Sequence, residues 1–239
     1  MITPTLVHAQ ATSGNIVGTV TDPSGAGVPN ATVTATNVAT GITNKSTSNA
    51  SGEFRIDNLL AGQYNLEGQS PGFAPFKLQN FTVTLNQTST AKLGLSLAGT
   101  ATSVEVSAES AAAIDTTTIQ LQQNFTLKES QDLPTATIGL GAINLSLLSP
   151  GVATSGGIGA GTGPSVGGQR PRNNNYTIEG VDDNDKSVTG PLLTIPNDAT
   201  GEFTLLTNQF SPEFGHSTGG QFNTDVISGT NSLHGRAYE

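Results

Sequence analysis

Three patterns in this chain have residue types and spacings suited to chemistry. Gly163-Pro164-Ser165-Val166-Gly167 fits the G-x-S-x-G pattern of a nucleophilic serine. Such a serine must stand between a buried strand and a helix. Here it lies in the glycine-rich run Thr154–Gly168, so chance explains it. Ser89-Thr90-Ala91-Lys92 fits S-x-x-K, but it opens a predicted strand and has no companion motif. Asp182, Asp183 and Asp185 crowd carboxylates as a hard cation requires. An EF-hand frame starting at Asp183 fails, because Val188 takes the glycine position and Thr194 the bidentate glutamate position. The run reads as a solvated acidic turn, with a weak surface cation site as the alternative. His8, His216 and His234 lack metal-ligand spacing. No catalytic, cofactor or metal residue is assigned.

Two further segments point to binding. Thr102-Ser103-Val104-Glu105-Val106-Ser107-Ala108-Glu109 is a short β-prone stretch between small polar residues. An extended, unpaired segment of this kind can add to a partner's sheet edge through backbone hydrogen bonds. The alternative is an ordinary first strand of the domain that follows. In Gln169–Asp185, the basic and amide side chains of Gln169–Asn175 precede Tyr176-Thr177-Ile178 and Glu179-Gly180. A guanidinium from Arg170 or Arg172 can pair bidentately with a carboxylate such as Glu179.

Composition limits the partners. Charged residues make up 11% of the 239 residues, and the net charge is −9. Nine scattered Lys and Arg cannot neutralise a run of phosphates, so nucleic acid is excluded as a partner. With no cysteine, disulfides and thiolate metal sites are excluded. No apolar run reaches the roughly 18 residues of a membrane helix. Leu6-Val7-His8-Ala9 before Gln10-Ala11 has the small-residue character of a secretory cleavage region. Residues 1–13 are read as the remnant of such a signal, or as a frayed terminus.

The elements that must position these segments are mostly short strands. Asn15–Thr21 alternates apolar and polar residues and runs into the turn Asp22-Pro23-Ser24-Gly25. Ala31–Thr36, Glu53–Ile56, Gln63–Leu66, Phe81–Leu85 and Ala91–Leu97 continue the pattern, with Gly-containing turns between them. Such spacing predicts a sandwich of two antiparallel sheets over 14–97. Phe54, Tyr64 and Phe81 fall at core-facing positions. Farther on, Thr126-Leu127-Lys128-Glu129 predicts a capping box opening a short helix that ends before Leu133-Pro134. Gly139–Leu148 predicts a second helix with Ile143, Leu147 and Leu148 turned inward. Thr154–Gly168 is Gly-rich and nearly featureless, and is expected to be a mobile loop.

The order of signals in Gly14–Leu97 (Gly-x-Val, Asp-Pro-Ser-Gly, Ala-x-Val, Ser-Gly-Glu-Phe, Gly-Gln-Tyr, Gly-Phe) resembles the carboxypeptidase regulatory-like domain. That family has a transthyretin-like sandwich, and its name implies no peptidase chemistry. Leu133-Pro134, Leu147–Val152, Gln169–Asp185, Glu202–Asn208 and Ser211–Gly220, followed by Gly219–Glu239, resemble in order the plug and first barrel strand of TonB-dependent outer-membrane receptors. The fold class implied is mainly β, a sandwich followed by a small mixed α/β plug.

The resemblance implies a linker over 98–110, a plug over 111–227 and the start of a barrel strand over 228–239. The barrel itself is expected to lie outside these residues. Val104, Glu105, Val106 and Ser107 would be the TonB box. Arg170, Arg172, Asn175, Glu179, Gly180 and Asp182 would be the plug motif, with Glu179 where the family usually has Asp. Implied partners are the TonB C-terminal domain, the receptor's own barrel, whose wall carboxylates the arginines could meet, and an unidentified imported substrate. The implied location is the outer membrane, with these residues on the periplasmic side. The competing expectation is a secreted or surface binding module with a carbohydrate-binding-like sandwich.

Overall fold

The computed structural model describes residues 13–98, 104–107, 120–133, 140–155, 162–187, 189–211, 214–215, 217–232 and 235. His8, His216, His234 and the expected signal remnant up to residue 12 lie outside them. The chain divides into two compact units. One holds the described residues up to Ser107 and those from Gly229 onward. The other holds those from residue 120 to Ser228.

The first unit is built from β1 (Gly14–Thr21), β2 (Thr32–Asn37), β3 (Thr43–Thr47), β4 (Glu53–Leu59), β5 (Gly62–Gln69), β6 (Phe73–Ala74), β7 (Phe76–Val83), β8 (Thr88–Gly94), β9 (Ser96–Leu97) and β10 (Val104–Ser107). One sheet has the order β4-β1-β8 and the other β10-β7-β5-β2-β3, and β6 pairs with β9. Strict alternation of buried and less buried residues in β1 and β5 puts every second side chain between the sheets. Ile16, Val20, Val33, Ala35, Leu59, Leu66 and Leu93 are fully enclosed there. Phe54, Tyr64 and Phe81 join the same core, as their parity predicts.

Local chemistry fixes the turns. The Asp22 carboxylate accepts from the Ser24 hydroxyl at 2.6 Å and the Ala26 amide at 2.9 Å. These bonds hold its pKa below the usual carboxylate range. At Gly18, where β1 runs between its neighbours, a Cβ would collide with the Ala91 carbonyl and the Phe54 ring.

The second unit contains β11 (Leu121–Thr126), helix α1 (Leu127–Asp132), a 3₁₀ helix (Gly141–Leu148), β12 (Val152–Thr154), β13 (Pro164–Val166), β14 (Asn175–Ile178), β15 (Val181–Asp182), β16 (Asn184–Asp185), β17 (Gly190–Pro191), β18 (Thr200–Asn208) and β19 (Gln221–Val226). Its mixed sheet has the order β11-β18-β19-β14-β15, in which only β14 and β19 are parallel. The capping box is present: the Thr126 amide donates to Glu129 Oε2 at 2.8 Å, and the Glu129 amide donates back to Thr126 Oγ1 at 3.4 Å. Phe125, Tyr176, Phe203, Leu205 and Phe222 pack with Ala142, Ile143 and Leu145 as the apolar core.

Two expectations are corrected here. The Gly141–Leu148 helix buries Ile143 and Leu145, while Leu148 is exposed. A 3₁₀ helix has three residues per turn, so Ala142 and Leu145 align inward, and the extended backbone at Ser149 ends the helix beside Leu148. The glycine-rich run is not featureless either, because β13 pairs antiparallel with β12.

Candidate functional site

Tyr176, Thr177 and Ile178 lie in β14, and Glu179-Gly180 forms a two-residue hairpin into β15. Both turn residues have positive φ, 51° and 70°, the geometry of a type I′ turn. Glycine takes that conformation freely, whereas Glu179 takes it at a cost that its contacts must offset. Glu179 Oε1 accepts the Val226 amide at 2.7 Å, and its own amide donates to Thr224 O at 3.0 Å. No ion pair joins Glu179 to Arg170 or Arg172 among the described residues. Both arginines are exposed, on either side of Pro171 in a short 3₁₀ turn.

The asparagines after the arginines lock strands together. Asn174 Nδ2 donates to Pro164 O at 2.8 Å, and Asn174 Oδ1 accepts the Gly220 amide at 2.9 Å. Asn175 Nδ2 donates to Gln221 Oε1 at 2.8 Å and Asn175 Oδ1 accepts from Asn184 at 2.7 Å. The motif thereby ties β14 to β19 and to the next hairpin. Tyr176 is buried, and burial pushes its hydroxyl pKa up to about 12.

The acidic turn is held by local bonds. Asp182 accepts the Asn184 amide at 3.1 Å, Asp183 the Leu193 amide at 3.0 Å and Asp185 the Ser187 amide at 2.7 Å. Burial raises the Asp183 pKa. No trio of His, Asp or Glu is placed to hold a metal among the described residues. Ser165 donates to Gln169 O at 2.7 Å within a short strand, away from any strand-to-helix elbow.

What the sequence reading missed is the second face of the mixed sheet. Strand registers place Gln122, Leu206, Gln221 and Asn175 in one row, and Asn124, Thr204, Asn223 and Thr177 in the next. Glu202 and Asp225 follow beside Thr126. Thr177 donates to Asn223 at 2.7 Å. Gln122 Oε1, Asn124 Nδ2, Thr204 Oγ1 and Asn223 Nδ2 are buried without a partner. One face of the sheet is thus mostly apolar and the other mostly amides and hydroxyls, with Leu206 among them. Burial first, then the Glu179 carboxylate and finally Glu202, push the Asp225 pKa up to about 8. The segment Gln221-Phe222-Asn223-Thr224-Asp225, with polar side chains at 221, 223 and 225, was the available signal.

Val104–Ser107 is not an unpaired strand. Its backbone runs parallel to β7, Val104 beside Phe76 and Ser107 beside Gln79, as the outermost strand of the five-stranded sheet. In the same unit, Asn231 donates through Nδ2 to Thr40 O at 2.8 Å, and Gly229–Ser232 form no strand.

Comparison with known proteins bears on both units. Residues 15–96 match the carboxypeptidase regulatory-like domain. Over 235 residues, 96% of this chain, the sequence is 27% identical to the TonB-dependent transporter Oar of Myxococcus xanthus, of which it spans 22%. Among solved structures, a putative carbohydrate binding protein from Bacteroides uniformis is 18% identical, with a TM-score of 0.31 over 35% of this chain and 41% of that one. The major pilin SpaD of Corynebacterium diphtheriae is 17% identical, with a TM-score of 0.30 over 36% of this chain and 30% of that one. These two likenesses are too partial to bear on function. Residues 15–96 thus form a carboxypeptidase regulatory-like β-sandwich, and the chain over nearly its whole length is similar to a part of a TonB-dependent transporter.

Proposed function

We propose that this chain is the gating and energy-coupling part of an outer-membrane importer and carries out no enzymatic reaction. The second unit would be the plug, closing the lumen of a barrel that lies outside these residues. Val104–Ser107 would be the segment that the TonB C-terminal domain grips from the periplasm. Substrate bound on the outer side would enter when tension on that segment rearranges the plug. The reading rests above all on the 27% identity to a TonB-dependent transporter across 96% of the chain.

Capture of the chain by immobilised TonB C-terminal domain tests the proposal. Val104→Pro removes one backbone donor from the strand, so capture should fall by up to about tenfold, the loss of one ladder bond. Equal capture of Val104→Pro and wild type would place the TonB-binding segment elsewhere.

A further inference from the structure

We propose that the sandwich is a template for partner binding: it holds Val104–Ser107 extended on its β7 edge, and a strand of the TonB C-terminal domain adds to the outer side of β10. This rests on reading those residues as the TonB-binding segment. The partner strand would become the sixth of the sheet β10-β7-β5-β2-β3.

Three observations carry the idea. First, β10 is the outermost strand of that sheet, and among the described elements none pairs with its other side. In a parallel ladder, alternate residues of a strand direct their N–H and C=O groups to opposite neighbours. A partner can therefore bond the outward set without breaking any bond to β7.

Second, the docked length is set by the sandwich. β10 follows β7 only from Phe76 to Gln79. The next residue, Asn80, has φ +57°, and the β5–β7 ladder shifts register between Tyr64 and Leu66. The Asn80 amide turns to Asn65 Oδ1 at 3.2 Å. This bulge bends β7, so the straight edge ends where β10 ends.

Third, four residues of parallel pairing gain few net hydrogen bonds against the backbone entropy of ordering them. The docked strand is therefore held weakly, and a strand added outside it shifts the population toward docking. A partner meeting an already extended segment loses less conformational freedom on binding. Sandwich docking and partner binding are then mutually reinforcing.

Hydrogen exchange on the full chain, with and without TonB C-terminal domain, tests the direction of this coupling. The proposal expects slower exchange at Val104–Ser107 and retained or increased protection at Phe76–Gln79 when the partner is added. Loss of protection at Phe76–Gln79 would mean that the partner strips β10 from the sandwich, which overturns the proposal.

A covalent arm checks the same point. The chain has no cysteine, so Lys77→Cys with Glu105→Cys places one disulfide across register partners. Oxidised protein should be captured as well as reduced protein or up to about tenfold more tightly, through preorganisation. Capture seen only after reduction would overturn the template. If partner addition leaves exchange at Val104–Ser107 unchanged and Val104→Pro is captured normally, the TonB-binding reading itself fails. That result differs from selective deprotection of β7.

Discussion

Glu179 and Asp225 show how two carboxyl groups share one turn. The Glu179 side chain reaches the Val226 amide and comes beside the Asp225 carboxyl. Two carboxylates sharing a partly buried spot favour retention of one proton, and Asp225 is pushed up to about 8. Its unfolded value is about 3.9, so between about pH 4 and pH 8 the folded chain binds the extra proton. This contribution to stability is complete below about pH 4 and is lost as pH rises through about 8. Urea unfolding between pH 5 and pH 9, followed by hydrogen exchange in β18 and β19, should show stability falling with pH. Asp225→Asn should flatten that slope, and Glu179→Gln should move its end to lower pH. A wild-type profile as flat as that of Asp225→Asn would show that the carboxyl is ionised throughout.

Among the elements, α1 depends most clearly on sequence-local chemistry. It is six residues long, too short to persist without its cap and its packing against the sheet. Thr126→Ala removes the Oγ1 that accepts the Glu129 amide, while the backbone amide at 126 can still donate to Glu129, and should destabilise the second unit by about 1 kcal/mol. The change would be read as a lowered urea midpoint with faster exchange at Leu127–Asp132. An unchanged midpoint would mean that the contacts of the helix with Asn197, whose Nδ2 donates to Ser130 O at 2.8 Å, suffice to hold it. The β10 element is of the opposite kind. Its β-propensity is visible in Val104-Glu105-Val106, but its partner, β7, could not be named from local pattern. Pairing across some thirty residues is a tertiary choice, made by whichever edge is left open.

For the whole molecule, the two units differ in how they are held. Among the described residues, the sandwich core contains eighteen buried apolar residues and the second unit's core nine. The second unit also carries four polar atoms without partners on one sheet face, each costing about 1–3 kcal/mol when buried. Exchange in increasing urea should therefore lose protection in β11, β18 and β19 before β1, β5 and β7. Simultaneous loss in both would show that the units unfold as one cooperative body.

The sandwich was legible from sequence because strand parity, turn residues and core choice agree at Ile16, Val33, Phe54 and Tyr64, where each local preference points the same way. The capping box was legible for the same reason, since its two partners are three residues apart. Less visible were the polar rows Asn124, Thr204, Asn223 and Thr177. They are drawn from four strands spread over a hundred residues, and only sheet order brings them together. The sequence by itself thus determined the strand-rich first unit, the turns and the helix cap, because short-range spacing governs all three. Only the tertiary structure decided that Val104–Ser107 lies on β7, that Glu179 meets Asp225 instead of an arginine, and that one sheet face is mostly amides and hydroxyls. Those outcomes depend on which open edge or face each strand meets, and no local pattern encodes that.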